Sequence, residues 1–495
     1  MKHAPFRLSV ALLTSVALAG CAVGPNYVRP SAPLSPTFKE AEGGWSPAAP
    51  ADTLDRGDWW TLFGDPILSG LEAKVQVNNQ NVIAAEAAYR EARAIVSADR
   101  AQLFPTLNLD ASGNESGAGA GSRGSVITTG AGGGTVVTGT GTGGGSTRTT
   151  QYRASLDAAW TPDVWGRIRR TIEGAKSLAQ ASAADLAAAR LSAQGELATD
   201  YFGLRSADAQ VALDQATVTA YQRSLQIATN QYNAGIVAKS DVYEAQTQIA
   251  NAQSDLEGMQ QQRANFEHAI AVLVGVAPGS FTLAPAPWVE TVPPIPPVVP
   301  STLLQRRPDI AGAERRVQNA NAQIGVQTAA YFPDLSLSGS YGFASSELGR
   351  LFSSANNLWS YGGSIAETIF DAGARRAQVR AAKATHDQTV AQYRETVLEA
   401  LQDVEDQLAA TRILARQADY RRQASTAADA AEKIVLNQYQ SGQVVYTNVV
   451  TAQTAAYSAR IALVQTAAQR QTTAVALIQA LGGGWNAKTD PKVAH

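Results

Sequence analysis

The chain spells out its architecture twice. Laid on residues 309–337, "DIAGAERRVQNANAQIGVQTAAYFPDLSL", residues 81–109, "NVIAAEAAYREARAIVSADRAQLFPTLNL", share Ala85, Glu86, Ala92, Ala94, Ala101, Phe104, Pro105, Leu107 and Leu109. Farther on, "IATNQYNAGIVAKSDVYEAQT" (227–247) falls on "IVLNQYQSGQVVYTNVVTAQT" (434–454), with ten of 21 positions identical. A duplication of this kind means that each structural unit is built twice. The offset drops from 228 to 207 between the two matches, so the first half carries 21 extra residues. Residues 113–150, rich in Gly, Thr and Ser and unable to pack a core, take up that surplus as a loop.

Each half reads as helix, strand, loop, strand, long helix, tight turn, helix. After Phe104-Pro105, Leu107, Leu109 and Ala111 alternate with Asn108, Asp110 and Ser112. Beyond the loop, Tyr152, Ala154, Leu156, Ala158 and Trp160 alternate with Arg153, Ser155 and Asp157. The expected strands are about 106–113 and 151–160, then about 334–343 and 358–368. Their alternation suits an outer-membrane barrel and a soluble half-buried hairpin equally. The helices favour the barrel. Residues 167–231 and 374–438 are each 65 long, rods of about 100 Å, and Val390, Tyr393, Val397, Leu401, Val404 and Leu408 make a coiled-coil seam. The shorter helices, 78–103 with 240–275 and 309–331 with 446–481, stack end to end into two further rods. Four strands cannot close a barrel, and lipid tolerates no open edge. The chain must therefore oligomerise.

The N-terminus reads as a secretory signal: Lys2, His3 and Arg7, then an apolar run from Leu8 to Ala19. Two cleavage sites are open. Ala17-Leu18-Ala19 suits ordinary signal peptidase and would leave Cys21, the sole cysteine, as a free thiol in an oxidising compartment. Leu18-Ala19-Gly20-Cys21 resembles a bacterial lipobox, which would make Cys21 a lipidated N-terminus. The second reading is preferred because it gives the lone cysteine a purpose. Ala22 rather than Asp after it points to the outer membrane by resemblance to other lipoproteins.

A net charge of −2 gives no basic excess for nucleic acid. Two GxGxxG matches, at Gly119 and Gly139, lie in the glycine loop rather than between a strand and a helix, so no nucleotide site is expected. His3, His268, His386 and His495 are scattered, and no nucleophile and base are grouped. No metal, no cofactor and no enzyme activity are expected. Trp59-Trp60 reads as a buried anchor.

These residues are similar to the outer-membrane factor family, TolC-like channels of tripartite efflux and secretion systems, in the lipoprotein branch serving resistance-nodulation-division pumps. The marks are "CAVGPNYVRP", "DWWTLFGDPILSGLEAKVQVNNQNVIAAEAAYREARA", "RRPDIAGAERRVQNANAQIGV", "AYFPDLSLSGSYG", the paired "NQYNAG" and "NQYQSG", and "ALGGGW" at 480–485. The resemblance implies a mainly α fold with a membrane β-barrel. In it, three copies form a periplasmic α-barrel of long coiled-coil helices, and four strands per chain contribute to a 12-stranded barrel. Its implied division is a signal peptide 1–20, a lipid-anchored extension 21–57, a first repeat 58–275, a Pro-rich equatorial connector 276–301, a second repeat 302–481 and a tail 482–495. It also implies an extracellular loop 113–150 and an adaptor, a pump and outer-membrane lipid as partners. The expected role is passive export of small molecules; a duct for secreted polypeptides and a pore-less lipid-anchored scaffold stay open.

The periplasmic turns, 233–240 and 440–447, carry the expected aperture and adaptor contacts. Gly235 and Gly442 suit left-handed helix ends, and Ser240 and Thr447 suit the N-caps of the returning helices. Tyr232, Tyr439, Thr447 and Thr451 are expected to narrow the aperture, with Glu244 the nearest charged ring. Glu244 alternatively only favours a helix start. The family's usual Asp and Arg are replaced here by Thr451 and Val444, which implies a less cation-selective, more easily opened channel.

Overall fold

The computed structural model describes residues 22–32, 38–40, 57–118, 128–129, 135–136, 147–293 and 307–483. Cys21, the signal peptide, both glycine fingerprints, His3, His495, most of the glycine loop, the connector beyond Pro293 and the tail beyond Gly483 lie outside them. Among the described residues, seven α-helices and four long strands follow one another: α1 Pro66–Asn78, α2 Gln80–Ala101, β1 Thr106–Ala118, β2 Thr147–Trp160, α3 Arg167–Asn233, α4 Lys239–Leu273, α5 Pro308–Ala329, β3 Asp334–Ser345, β4 Asn357–Ala366, α6 Ala374–Gln440 and α7 Tyr446–Ala480. At 67 residues each, α3 and α6 are rods of about 100 Å. The strands run farther into the glycine segment than the alternation alone suggests. Glu115 pairs with Thr150 and forms an ion pair with Arg148, and Thr128–Thr129 pairs with Thr135–Val136 inside the loop. Residues 113–118 and 147–150 of the expected loop are therefore strand, because backbone pairing needs no apolar side chain.

Two compact units divide the chain. The first takes in residues 95–175 and 321–383 with the segment up to Asn26. Its sheet is antiparallel in the order β1-β2-β3-β4, so β1 and β4 are edges. Register sorts the side chains by face. Leu109 opposes Leu156, which opposes Tyr341, which opposes Trp359; one residue along, Asn108, Asp157, Ser340 and Ser360 form a polar row across all four strands. No part of the described chain covers the apolar face: Leu109, Ile365 and Tyr361 are largely exposed. Below the sheet, the Asp163 carboxylate accepts the Ile168 and Arg169 amides, both at 2.9 Å, and starts α3. Asp371 does the same for α6, accepting from Gly373 and Arg375 amides, and Arg375's hydrogen bonds hold its carboxyl down to about 2. The N-terminal segment docks beside these starts. The Val23 amide donates to the Trp165 carbonyl (3.1 Å), and Arg170 donates to the Val23 and Gly24 carbonyls and to Asn26. Gly24, at φ +95°, lies so close to Gly325 that a Cβ would sit 2.5 Å from its Cα. Only glycine fits there.

The second unit, residues 27–94, 176–320 and 384–495, holds the helical cores. Trp59 and Trp60 are buried, as the sequence suggests, and pack edge to face 5.9 Å apart in a core with Phe63, Leu68, Tyr201 and Phe202. The α6 seam is buried too: Tyr393, Val397 and Val404 pack with Ile310 and Val317 of α5 and with Phe38. Charged groups fasten the connector. Asp208 accepts from Arg205 (2.9 Å) and Arg263 (2.6 Å), and these arginines donate to the carbonyls of Ala284 and Leu283. Gln471, buried in α7, binds the Val289 carbonyl (3.0 Å) and accepts from the Trp288 indole (2.7 Å).

One residue breaks the pattern. Glu72, on the buried face of α1, is fully inaccessible, and neither carboxylate oxygen has a hydrogen-bond partner. Burial alone pushes its carboxyl up to about 9. The folded protein keeps Glu72 neutral, whereas the unfolded chain releases the proton near pH 4.5. The contribution of Glu72 to folding stability is thus fully present below pH 4.5 and is lost as pH rises towards 9. At pH 7 the loss is roughly 3 kcal/mol. Glu72→Leu should therefore raise the melting temperature at pH 8 more than at pH 5. Equal shifts at both would show that the acid is already ionised in the fold.

Candidate functional site

The two turns at the ends of α3 and α6 are built alike. Gly235 adopts φ +73° and Gly442 φ +74°. The Gly235 amide donates to the Tyr232 carbonyl and the Ile236 amide to that of Gln231, both at 2.9 Å. Gly442 and Gln443 repeat the pair on Tyr439 (3.0 Å) and Gln438 (2.9 Å). This is the doubly bonded left-handed helix end that glycine supports. The helix starts differ from expectation. Ala238 and Val445 occupy the N-cap positions in extended conformation, and neither caps with its side chain. Ser240 and Thr447 therefore lie inside the first turn rather than at the cap, and Ser240 Oγ binds Asp241 instead (3.2 Å). The buried Tyr446 begins α7 at the same repeat position at which the exposed Lys239 begins α4.

Tyr446 is the organiser of this region. Its ring lies 5.3 Å from that of Tyr439, and both are buried with Ala245 and Val449, flanked by Leu225, Val435 and Val444. Tyr439, an expected aperture residue, is instead 2% exposed and packs inward. Burial pushes its hydroxyl up to about 12 and that of Tyr446 upward too, the latter helped by Tyr439 and by Glu244. Neither hydroxyl has a partner, nor does Gln231 Oε1, while Gln231 Nε2 ties the first turn to the second through the Tyr439 carbonyl (3.3 Å). Glu244, half-buried, stands beside Tyr446. Thr447 and Thr451 are exposed, and the Thr451 hydroxyl is taken up by the Thr447 carbonyl (2.9 Å). Around them an apolar rim is open: Tyr232 (40%), Ile236, Tyr243 and Val445, with the Lys239 ammonium 5.4 Å above the Tyr243 ring.

The periodicity singles out neither Tyr446 nor Gln231. The repeat itself conceals Tyr446, whose first-half counterpart is the exposed Lys239. A run of buried polar ties farther up α7 likewise carries no periodic signal. Gln453 Nε2 donates to Ser224 (3.1 Å), and the Tyr457 hydroxyl donates to Asp214 (2.8 Å). Among the described residues no helix is long and apolar enough to cross a membrane, and no three His, Cys, Asp or Glu side chains gather as metal ligands. The sheet of the first unit carries the exposed apolar face.

The buried tyrosine pair makes specific demands. Tyr446→Ala should loosen it, costing about 3–5 kcal/mol and raising single-channel conductance. Tyr446→Phe removes only an unpartnered hydroxyl and should leave stability unchanged or higher. Gly442→Ala meets no atom within 4 Å, so its cost is the left-handed backbone alone, about 1 kcal/mol. Thermal unfolding and bilayer recordings on the three variants check the order.

Comparison with known proteins agrees with this architecture. Residues 72–276 and 299–483 match the family model described as outer membrane efflux protein. The chain is 30% identical over 493 residues to outer membrane protein OprJ of Pseudomonas aeruginosa, covering 98% of this chain and 97% of that one. It is 28% identical over 478 residues to the cation efflux system protein CusC of Escherichia coli O6:H1, covering 95% and 97%. Among solved structures, the outer-membrane channel OprN superposes with a TM-score of 0.81 at 30% identity, over 94% of this chain and all of that one. On the strength of its two-part match, its full-length relatives and its shared fold, the chain belongs to the outer membrane efflux protein family.

Proposed function

We propose that three copies of this chain conduct small molecules passively across the outer membrane, receiving them from a periplasmic adaptor and an inner-membrane pump of the resistance-nodulation-division class. The family is one of efflux channel components rather than enzymes. The observation that carries the reading is the four-stranded sheet. Its outward face is apolar and uncovered, its inward row of Asn108, Asp157, Ser340 and Ser360 is polar, and both its edges are open. Three such sheets make a closed barrel with a wet bore. The helices that continue from it line the periplasmic passage. A deletion strain challenged with antibiotics, dyes, aromatic acids and metals tests the role and reveals the cargo. Unchanged tolerance across the panel, with no conductance from purified protein in a planar bilayer, would leave a pore-less scaffold.

Cys21 carries the lipid anchor in this reading. Support comes from its neighbours: Ala22 lies against Gly166 and Val23 is bonded to Trp165, beside the ends of the strands. A lipid on Cys21 would thus start at the membrane rim. Cys21→Ser should abolish incorporation of radiolabelled fatty acid, and persistent labelling would place the acyl chain elsewhere.

The passage is narrowest, on this proposal, at the two turns, where Tyr232, Thr447 and Thr451 remain exposed and Glu244 supplies the nearest carboxylate. The apolar rim of Ile236, Tyr243 and Val445, with Gly235, Ser240 and Gly442 setting the turns, suits the adaptor. Three copies of Glu244 around one axis would repel, and a cation would relieve them. Glu244→Gln should then lower cation selectivity and remove divalent block. Block that persists in the variant moves the constriction away from Glu244.

A further inference from the structure

The loop joining β3 to β4, residues 346–356, is folded rather than slack. Two short 3-10 turns, Leu348–Arg350 and Ser354–Asn356, shape it. The Glu347 amide donates to Ser345 Oγ (3.1 Å), the Ser353 amide to the Arg350 carbonyl (3.1 Å), and Asn356 Nδ2 to that same carbonyl (2.7 Å). Leu351 is buried and anchors it. Beside the exposed charged residues Glu347 and Arg350 it displays two large apolar side chains: Leu348 is 64% exposed and Phe352 71%. An aqueous loop gains nothing by displaying these.

The direction of the loop is set by one ring contact. Phe352 lies 5.5 Å from Phe343 at 71°, edge to face. Phe343 in turn touches Tyr341 (6.0 Å) on the same side of β3, and Tyr341 opposes Trp359 on β4. These three belong to the apolar face, the side that meets lipid once the barrel closes. Phe343 opposes Asn357, the first residue of β4, so the contact sits at the strand ends farthest from the helices. The loop therefore folds over the outer wall and continues the lipid-facing surface. Aromatic residues at that level form the interfacial girdle of a membrane barrel. Between the two apolar residues lies Arg350, whose side chain makes no ion pair or hydrogen bond among the described residues. A free guanidinium at headgroup level is suited to a lipid phosphate.

We propose that this loop is a membrane foot: Phe352 and Leu348 enter the outer-leaflet interface, and Arg350 engages the phosphate of an anionic lipid. The test is spin labelling of Phe352→Cys and Leu348→Cys in the full-length chain, reconstituted in vesicles of phosphatidylcholine with phosphatidylglycerol. The wild-type chain, with Cys21 alone, supplies the background. Tyr361→Cys marks the lipid-facing wall and Ile236→Cys the aqueous reference. Labels at 352 and 348 should collide with dissolved oxygen several-fold more than with a water-soluble nickel chelate, as the label at 361 does. Arg350→Gln should reduce that ratio at 352 in the anionic vesicles and have no effect in pure phosphatidylcholine. A nickel-dominated pattern like that at 236 would overturn the proposal by placing the loop in water. Labels shielded from both reagents would overturn it equally, because the neighbouring copy would then be the occupant.

Discussion

Everything in this molecule follows from the backbone hydrogen bonds that β1 and β4 leave unmade. In water an open sheet edge is a modest liability, but in hydrocarbon each unpaired amide or carbonyl costs several kcal/mol. Four strands of 10 to 14 residues are long enough to cross the membrane and too few to close on themselves. The edge of one copy must be the partner of the next. Three copies satisfy the edges with 12 strands, and the same three-fold axis then organises the helices that continue from the sheet. The uncovered apolar face and the polar row behind it make sense only in that closed state.

Duplication supplies the strands and helices, yet the two halves have not stayed equivalent. Tyr232 and Tyr439 occupy matching positions, just before the closing segment of each turn, and their surroundings are opposite: the first is open to solvent and the second is enclosed. What differs is the partner seven residues on. Lys239 extends into solvent above Tyr243, whereas Tyr446 folds inward and covers Tyr439. At that repeat position one turn is open, around Lys239, and the other is packed, around Tyr446. Val444 stands where the family resemblance implies an arginine, and it packs against the Tyr439–Tyr446 cluster. At the tip, apolar contact replaces a polar latch.

Most of the architecture was legible because it is periodic. Leu107, Leu109 and Ala111 announce a strand by alternation, Val397 and Val404 a seam by their spacing, and Gly235 and Gly442 a turn by their freedom to take a left-handed backbone. The candidate site was less legible, since its decisive features are contacts between segments more than 200 residues apart, such as Gln231 with the Tyr439 carbonyl. Local preference also misleads at the helix starts. Ser240 and Thr447 are good N-caps in isolation, but α4 and α7 each start one residue ahead of them, at Lys239 and Tyr446. The extension of β1 and β2 into the glycine segment is hidden for a different reason. Gly, Ser and Thr carry no alternating pattern, although their backbones pair as well as any other.

The distribution of polar groups along the second unit separates a firm middle from a yielding end. At the connector, Asp208 is bonded to two arginines, and those arginines also hold backbone carbonyls, so the buried carboxylate is matched on both sides. Breaking such a network strands a buried charge and costs about 3–5 kcal/mol. At the tip, two tyrosine rings, a few aliphatic side chains and one amide-to-carbonyl bond do the holding. Opening there would expose the rings but also return three unpartnered atoms to water: the hydroxyls of Tyr439 and Tyr446 and Oε1 of Gln231. Each regains hydration worth about 1–3 kcal/mol, which offsets much of the lost apolar contact. On the proposed function, the closed tip is then only shallowly favoured, which suits a passage operated by a partner. A constriction sealed like the connector could be opened only by a force large enough to damage the rest.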